Sequence, residues 1–167
     1  MATALHWVTG PWPGKLALAA RPRGGDWLAD DIADWHRSGV DAVLSLLTAS
    51  EEESLDLTDE AREVEANRMR FLSLPIPDRE VPGSESEVAA ILEQVNAHLM
   101  SGKGVVVHCR QGVGRSGLIG ACLLVSRGLD PSTAVHYVST ARGLSVPETD
   151  EQRRWIDRYA AVLAGAK

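Results

Sequence analysis

A cysteine and an arginine stand six positions apart, on either side of a glycine-containing stretch. Cys109 closely follows a run of three valines, and Arg115 opens a segment with helical spacing. Gly112 and Gly114 lie between them and permit a tight turn. The backbone N–H groups of such a turn converge on an anion, and the start of the next helix adds unpaired N–H groups and a positive dipole. Both effects stabilise a thiolate, so we predict that Cys109 is a nucleophile.

The same segment offers donors for a phosphate group. The planar guanidinium of Arg115 can present two parallel N–H groups to phosphate oxygens. The hydroxyl of Ser116 can donate a hydrogen bond to the sulfur of Cys109 and assist its departure as a thiolate. The residues between the cysteine and the arginine are the predicted substrate-binding positions, namely Arg110, Gln111, Gly112, Val113 and Gly114.

The order of these residues resembles the signature of the cysteine-dependent protein tyrosine phosphatase superfamily. The signature is His108-Cys109, five loop residues and Arg115-Ser116, and its form here is closest to the compact dual-specificity branch. The resemblance covers most of residues 40–160 and implies an α/β catalytic domain that spans residues 1–167. The first 25 residues, an N-terminal segment of that domain, match no pattern of the family.

Two further segments strengthen the resemblance. Residues 74–82, with Asp78 between prolines, resemble the general-acid loop of that branch, and we call them the acid loop. Residues 141–152 resemble the segment that packs behind the phosphate-binding loop, and they contain Arg142 and Gln152.

The resemblance implies a role for each matching residue. Cys109 attacks phosphorus and forms a phosphocysteine, and Arg115 binds the phosphoryl oxygens. Asp78 protonates the leaving oxygen and then acts as the base on water. His108 orients the loop, Gln152 helps to place the water, and Arg142 is either a supporting residue or an ordinary surface arginine. The mechanism needs no metal and no other cofactor.

Other functional interpretations are weaker. Residues 112–117 also fit a dinucleotide-binding fingerprint, but that fold needs another strand after the helix, where Asp130 and Pro131 instead begin a helix. A Walker loop fails because Leu118 stands where lysine is required. A silent phosphate-binding module usually lacks the cysteine, the arginine or the acid, and a sulfurtransferase would leave Asp78 unexplained.

Composition sets the wider limits. The chain has 167 residues, 44% of them hydrophobic and 24% charged, with a net charge of −6. These values predict one globular domain and argue against nucleic-acid binding. Two cysteines are too few for a disulfide scaffold, and no segment is predicted to cross a membrane or to act as a signal peptide. We therefore expect a cytoplasmic protein, and its oligomeric state stays open.

Strand and helix patterns alternate along the chain, which predicts a mostly parallel sheet with helices on both faces. The predicted strands are residues 6–8, 16–19, 40–47, 71–76 and 105–107. The predicted helices are residues 26–38, an acidic helix capped by Ser50 and Glu53, 58–68, a helix after the capping box at 84–87, 115–127, a helix that begins at Asp130-Pro131, and 147–163.

Several side chains have an ordinary structural interpretation. Cys122 is predicted to be a core residue too far from Cys109 for a disulfide, and Glu51–Glu53 to be a solvated face. The four histidines outside the signature, His6, His36, His98 and His136, show no metal-binding spacing.

The substrate class follows from the resemblance only in outline. Phosphotyrosine-restricted relatives deepen their pocket with a tyrosine-bearing loop before the signature, whereas Tyr137 and Tyr159 both follow it. A shallow pocket should accept phosphoserine and phosphothreonine as well as phosphotyrosine. Arg110, with Arg79 and Arg142 nearby, should make the rim basic. We expect a phosphorylated protein as the substrate, with a phosphoinositide or another non-protein phosphate as the alternative.

Overall fold

Five strands form one sheet in the order β1-β2-β5-β3-β4. The computed structural model describes residues 3–165, so the two residues at each end of the predicted 1–167 domain lie outside the described part. Every strand pair is parallel except β1 with β2. The strands are β1 (His6–Val8), β2 (Lys15–Ala19), β3 (Ala42–Ser45), β4 (Arg70–Ser73) and β5 (Gly104–His108).

Seven α-helices accompany the sheet within the described residues. They are α1 (Leu28–Arg37), α2 (Ala49–Ser54), α3 (Glu60–Ala66), α4 (Glu85–Met100), α5 (Gly114–Ser126), α6 (Pro131–Arg142) and α7 (Asp150–Gly165). The predicted α/β architecture is confirmed. The first 25 residues, which matched no family pattern, supply β1 and β2 of the same sheet.

The central strand explains why both faces are covered. Every residue of β5 is buried, and its side chains alternate between two apolar clusters. Val105 and Val107 pack in the cluster that contains residues of α4, α5, α6 and α7. Val106 packs in the cluster formed with α1 and α3. A strand that is buried on both faces has apolar, often β-branched residues at successive positions. The run of three valines therefore predicted β5 from the sequence.

Two predicted helix starts are confirmed by their caps. The Ser84 hydroxyl accepts the Glu87 N–H at the start of α4, and the Asp130 carboxylate accepts the Thr133 N–H at the start of α6. Pro131 is the first residue of α6, where its missing N–H costs nothing.

Two predicted helix starts are wrong in position. The capping box of α2 is Thr48 with Glu51, two residues before the predicted Ser50 and Glu53. Asp26 caps nothing, because it lies inside a short 3₁₀ turn that precedes α1. With the cap at Thr48, the side chain of Glu51 faces the protein interior, where it contacts a residue of the site described below.

Candidate active site

The loop from Cys109 to Gly114 connects the end of β5 to the start of α5, as the sequence predicts. It rests on the end of β2, because a side chain on Gly112 would meet the Ala19 carbonyl carbon at 2.5 Å. Gly112 also has φ +73°, a conformation that favours glycine. The Arg21 N–H donates to the Arg110 carbonyl at 3.3 Å from the same side. The backbone of β2 therefore supports the floor of the loop.

Cys109 and the other principal candidates meet at one cavity of about 140 Å³. Six of the predicted site residues line this cavity, namely Asp78, Cys109, Gln111, Val113, Gly114 and Arg115. Arg79 and Glu148 complete its lining. Arg110 is exposed outside this lining. A larger cavity of about 350 Å³ lies between β1 and α6, and none of the predicted site residues lines it. The candidate site is therefore identified by the reactive side chains that line the smaller cavity and not by cavity volume.

Arg115 is buried, with only 1% of its side chain exposed. Its Nη1 donates to Glu51 Oε1 at 2.6 Å and to the Ile76 carbonyl at 2.8 Å. Its Nη2 donates to Glu51 Oε2 at 2.9 Å and to Asp78 Oδ1 at 3.1 Å. Burial disfavours the charge, but the bond to Glu51 and the charges of Cys109 and Asp78 hold the pKa of Arg115 above its ordinary value.

Glu51 corrects the expectation that Glu51–Glu53 form a solvated face. Its side chain is 12% exposed and forms a two-pronged pair with Arg115. Burial opposes its ionisation, but the bonds from Arg115 and the Thr48 backbone outweigh burial, so the pKa of Glu51 lies below its ordinary value. Sequence reasoning missed this residue because it placed the α2 cap two positions too late. The overlapping Thr48-x-x-Glu51 pattern was the signal available.

Asp78 lies in the acid loop after β4, where its carboxylate contacts Arg115 and borders the same cavity as Cys109. Its side chain is 53% exposed, so it can exchange protons with solvent and with a bound substrate. The structure brings together the three residues to which the resemblance assigns nucleophile, phosphate binder and acid.

His108 is fully buried beneath the loop, and its Nε2 lies 2.6 Å from Glu60 Oε2. Its Nδ1 lies 3.4 Å from the carbonyl oxygen of Cys109, so the imidazole links the start of α3 to the residue that carries the nucleophile. Glu60 Oε1 is buried without a hydrogen-bond partner among the described residues. Glu60 is a second acidic residue that sequence reasoning missed, because nothing in the spacing of residues 60 and 108 relates them.

Arg142 and Gln152 both contact the site from behind. Arg142 donates through Nε to the Gly112 carbonyl at 2.9 Å and through Nη2 to the Gln111 carbonyl at 3.1 Å. Gln152 is fully buried, and its Nε2 donates to the Glu80 carbonyl of the acid loop at 3.1 Å. Arg142 is therefore a supporting residue of the loop rather than an ordinary surface arginine.

Two predictions about polar side chains need adjustment. The Ser116 hydroxyl is buried and forms no hydrogen bond with a described residue, so the predicted contact with sulfur is not made in this structure. The expected basic rim is partly neutralised. Arg79 forms an ion pair with Glu148, and Arg142 donates hydrogen bonds to carbonyl groups of the phosphate-binding loop. Arg110 has no carboxylate partner among residues 3–165.

Cys122 is a fully buried core residue, as predicted. Burial raises the pKa of its thiol, which makes it less reactive than an exposed cysteine. Both cysteines are free thiols.

Within the described part of the chain, no three histidine, cysteine or carboxylate side chains cluster as metal ligands would. None of its helices is long and apolar enough to span a membrane. No strand follows α5 in residues 127–165, which removes the dinucleotide-binding interpretation.

The fold and the site together define a cysteine-based phosphatase. The model of the family described as "Polymorphic toxin system, DSP-PTPase phosphatase" matches residues 18–129, more than half of the chain. The chain belongs to this family.

Individual relatives agree with this assignment. Cyclin-dependent kinase inhibitor 3 of Sus scrofa is 32% identical over 92 residues, which are 54% of this chain and 43% of that protein. The match thus spans less than half the length of this curated relative.

Solved structures share the fold over nearly the whole chain. Kinase associated phosphatase with its catalytic cysteine replaced by serine superposes with a TM-score of 0.90, covering 98% of this chain and 97% of that one at 20% identity. Tk-PTP in its active form has a TM-score of 0.76 and 28% identity, covering 94% and 96% of the two chains.

Proposed function

We propose that this phosphatase hydrolyses phosphomonoesters of proteins through a phosphocysteine intermediate. The observation that carries the proposal is that Cys109, Arg115 and Asp78 line a single cavity. A thiolate nucleophile, a planar cation for phosphoryl oxygens and a proton donor are the groups that the reaction requires.

In the first step, the Cys109 sulfur forms a bond to phosphorus while the bond to the leaving oxygen breaks. Asp78 gives its proton to that oxygen, so the product leaves as a neutral alcohol or phenol. Arg115 stabilises the charge on the phosphoryl oxygens, and Glu51 keeps the guanidinium oriented toward the cavity.

In the second step, water attacks phosphorus and the sulfur–phosphorus bond breaks. Asp78 takes a proton from the water, and Cys109 departs as a thiolate. Ser116 is proposed to donate a hydrogen bond from its unpartnered hydroxyl to the departing thiolate, without transferring its proton. Each residue is thereby returned to its starting state, and inorganic phosphate is released.

Hydrolysis of an aryl phosphate in the presence of a chelator tests the reaction. The wild type should be active, and Cys109→Ser should lose turnover because a hydroxyl lacks the nucleophilicity of the thiolate. Cys122→Ala is the matched control, since it removes the other thiol and should keep activity. Retention of more than a few per cent activity by Cys109→Ser would overturn the mechanism.

The acid is tested by varying the leaving group. Asp78→Asn should lower kcat by about 10²–10⁴-fold for a poor leaving group and much less for an activated aryl one. Glu80→Gln is the control, because it neutralises the other acidic residue of the acid loop. An equal loss with both leaving groups would remove Asp78 from the role.

We propose dual specificity toward phosphotyrosine and phosphoserine or phosphothreonine. Support comes from the positions of Tyr137 and Tyr159, which lie in α6 and α7 and not in a loop before the signature. Matched peptides that differ only in the phosphorylated residue test this through kcat/KM. A preference for phosphotyrosine beyond about 10⁴-fold, worth over 5 kcal/mol, contradicts it. Turnover of a phosphoinositide but of no peptide would favour the alternative substrate class.

We also propose that the protein acts in the cytoplasm. The proposal rests on the two free cysteines, because a reactive thiolate works best where thiols stay reduced. Fractionation of cells that express the protein would test it.

A further inference from the structure

Arg79 occupies an unusual place beside the proposed acid. It directly follows Asp78 and has φ +64°, a left-handed conformation that residues with a Cβ adopt rarely. Asp56 and Arg68 share this conformation among the described non-glycine residues, but Arg79 alone of the three lines the catalytic cavity. An arginine at a position that suits glycine points to a use for its side chain.

That side chain links two segments at the cavity. Arg79 Nη1 lies 3.2 Å from Oε2 of Glu148, which belongs to the connection between α6 and α7. The Arg79 side chain is 63% exposed and that of Glu148 is 29% exposed. A pair this open to solvent is weak and exchanges partners readily.

The charges around the cavity show where a second anion could bind. Only Arg79 and Arg115 among the lining residues are cationic. Arg115 is already matched by Glu51 and Asp78 and is reserved for the phosphoryl group. Arg79 therefore remains as the cation whose partner a substrate can replace.

We propose that Arg79 is a specificity-determining residue, which releases Glu148 and binds an acidic side chain next to the phosphorylated residue of the substrate. This inference rests on the proposed phosphoprotein phosphatase function. A peptide fits because Arg79 is more than half exposed at the rim, where a neighbouring residue lies when the phosphate occupies the loop. Glu148 acts as a built-in competitor that keeps the preference moderate.

Two phosphopeptides that differ only in glutamate or glutamine beside the phosphorylated residue test the proposal. The measured quantity is the ratio of their kcat/KM values at low ionic strength. The wild type should prefer the glutamate peptide by about two- to fivefold, the size of an exposed ion pair. The ratio should fall toward one in high salt, which screens such a pair.

Three variants separate the interaction from general effects. Arg79→Gln should bring the ratio to about one, and Glu148→Gln should raise it above the wild-type value because the competitor is gone. Arg62→Gln is the matched control, since Arg62 forms a similar exposed pair with Asp59 outside the cavity. It should leave the ratio unchanged.

A uniform loss on both peptides in Arg79→Gln, with the ratio preserved, would overturn the specificity role and make Arg79 a structural residue. A fall of the ratio in Glu148→Gln would also overturn it. Failure of the proposed function has a different signature, because the wild type would then hydrolyse neither peptide whatever its flanking residue.

Discussion

The phosphate loop is held from two sides, and the two sides use different chemistry. On one side lies the acidic flank, residues 48–66, which contains α2 and α3. It reaches the site through two carboxylates, Glu51 on Arg115 and Glu60 on His108. Both contacts are made to side chains that are almost fully buried.

On the other side lies the C-terminal flank, residues 131–165, which contains α6 and α7. Arg142 binds loop carbonyls, and Gln152 binds the carbonyl of Glu80. These hydrogen bonds are made to backbone carbonyls, and the ion pair that Glu148 of this flank forms with Arg79 is exposed rather than buried.

The difference follows from what each side must stabilise. A buried guanidinium needs an opposite charge, since an unpaired charge in the protein interior is costly. A backbone carbonyl needs only a donor. The acidic flank should therefore control reactivity and stability together, whereas the C-terminal flank should mainly control loop geometry. Four substitutions test this contrast, from the largest expected effect to the smallest.

Glu51→Gln should have the largest effect. The substitution leaves Arg115 buried with a weaker partner, which should cost about 3 kcal/mol in the free energy of unfolding. The misplaced guanidinium should also lower kcat/KM by about 10- to 100-fold. Urea unfolding and aryl phosphate kinetics measure both, with exposed Glu53→Gln in the same helix as control. Equal kinetics in the two variants would contradict the importance of the Glu51–Arg115 pair.

Glu60→Gln should have the second largest effect. An amide can still form a hydrogen bond with His108, but one carboxyl oxygen is replaced by a buried N–H group, so we expect a loss of about 1–3 kcal/mol. Denaturant unfolding measures the loss, and exposed Glu65→Gln is the control. A stability equal to that of the control would show that the buried contact contributes nothing net.

Arg142→Gln should have a smaller effect. The shorter side chain loses its hydrogen bonds to Gln111 and Gly112, which should cost about 1 kcal/mol. Since these contacts position the loop, kcat/KM should fall more than the stability change suggests. A stability loss larger than that of Glu51→Gln would reverse the proposed order of the two flanks.

Glu52→Gln should have the smallest effect, with the opposite sign. Burial and the nearby charge of Glu60 raise the pKa of the Glu52 carboxyl above its usual value of 4.5. Its ionisation therefore costs stability as pH rises through the folded pKa, and the variant should be slightly more stable than the wild type at pH 7, by an amount that solvent screening keeps small. A clear destabilisation at pH 7 would show that Glu52 is a favourable charge.

The pKa of Glu51 is shifted in the opposite direction to that of Glu52. The contribution of the Glu51–Arg115 pair to stability should therefore depend on pH. The folded pKa of Glu51 lies below 4.5, so its stabilisation is complete above that pH and is lost as pH falls through the folded value. The stability difference between wild type and Glu51→Gln should therefore shrink below pH 4.5.

The sequence alone predicted the parts of the site that are local in the chain. Cys109, Gly112 and Arg115 occupy one strand-turn-helix unit. Their spacing in the sequence therefore predicts their relative positions in the structure. Residues of the C-terminal flank were also found, because Arg142 and Gln152 lie in a segment that resembles the family.

The acidic flank was not predicted, because its contacts join distant positions. Residues 51 and 115 lie far apart in the chain, and the pairing of β3 with β5 in the sheet brings their segments together. Glutamates in a helix with an acidic, polar sequence show no sign of burial. The same limit applies to the rim. The arginines near the signature predicted a basic rim around the cavity. In the structure, Arg79 is paired with Glu148, and their charges partly neutralise each other.

The burial of α5 has a consequence for how the molecule opens. All of its 13 residues except Ser126 are buried, and β5 is buried throughout. The hydrogen-bonded amides of β5, and those of α5 from Gly117 onward, should exchange with solvent only through global unfolding. The amides of the exposed residues 78–80 should exchange through local opening. Arg115 thus lies at the start of α5 and Cys109 directly follows β5, whereas the acid belongs to a segment that exchanges faster. We therefore expect the acid loop to open locally while the backbone that carries Cys109 and Arg115 stays in place.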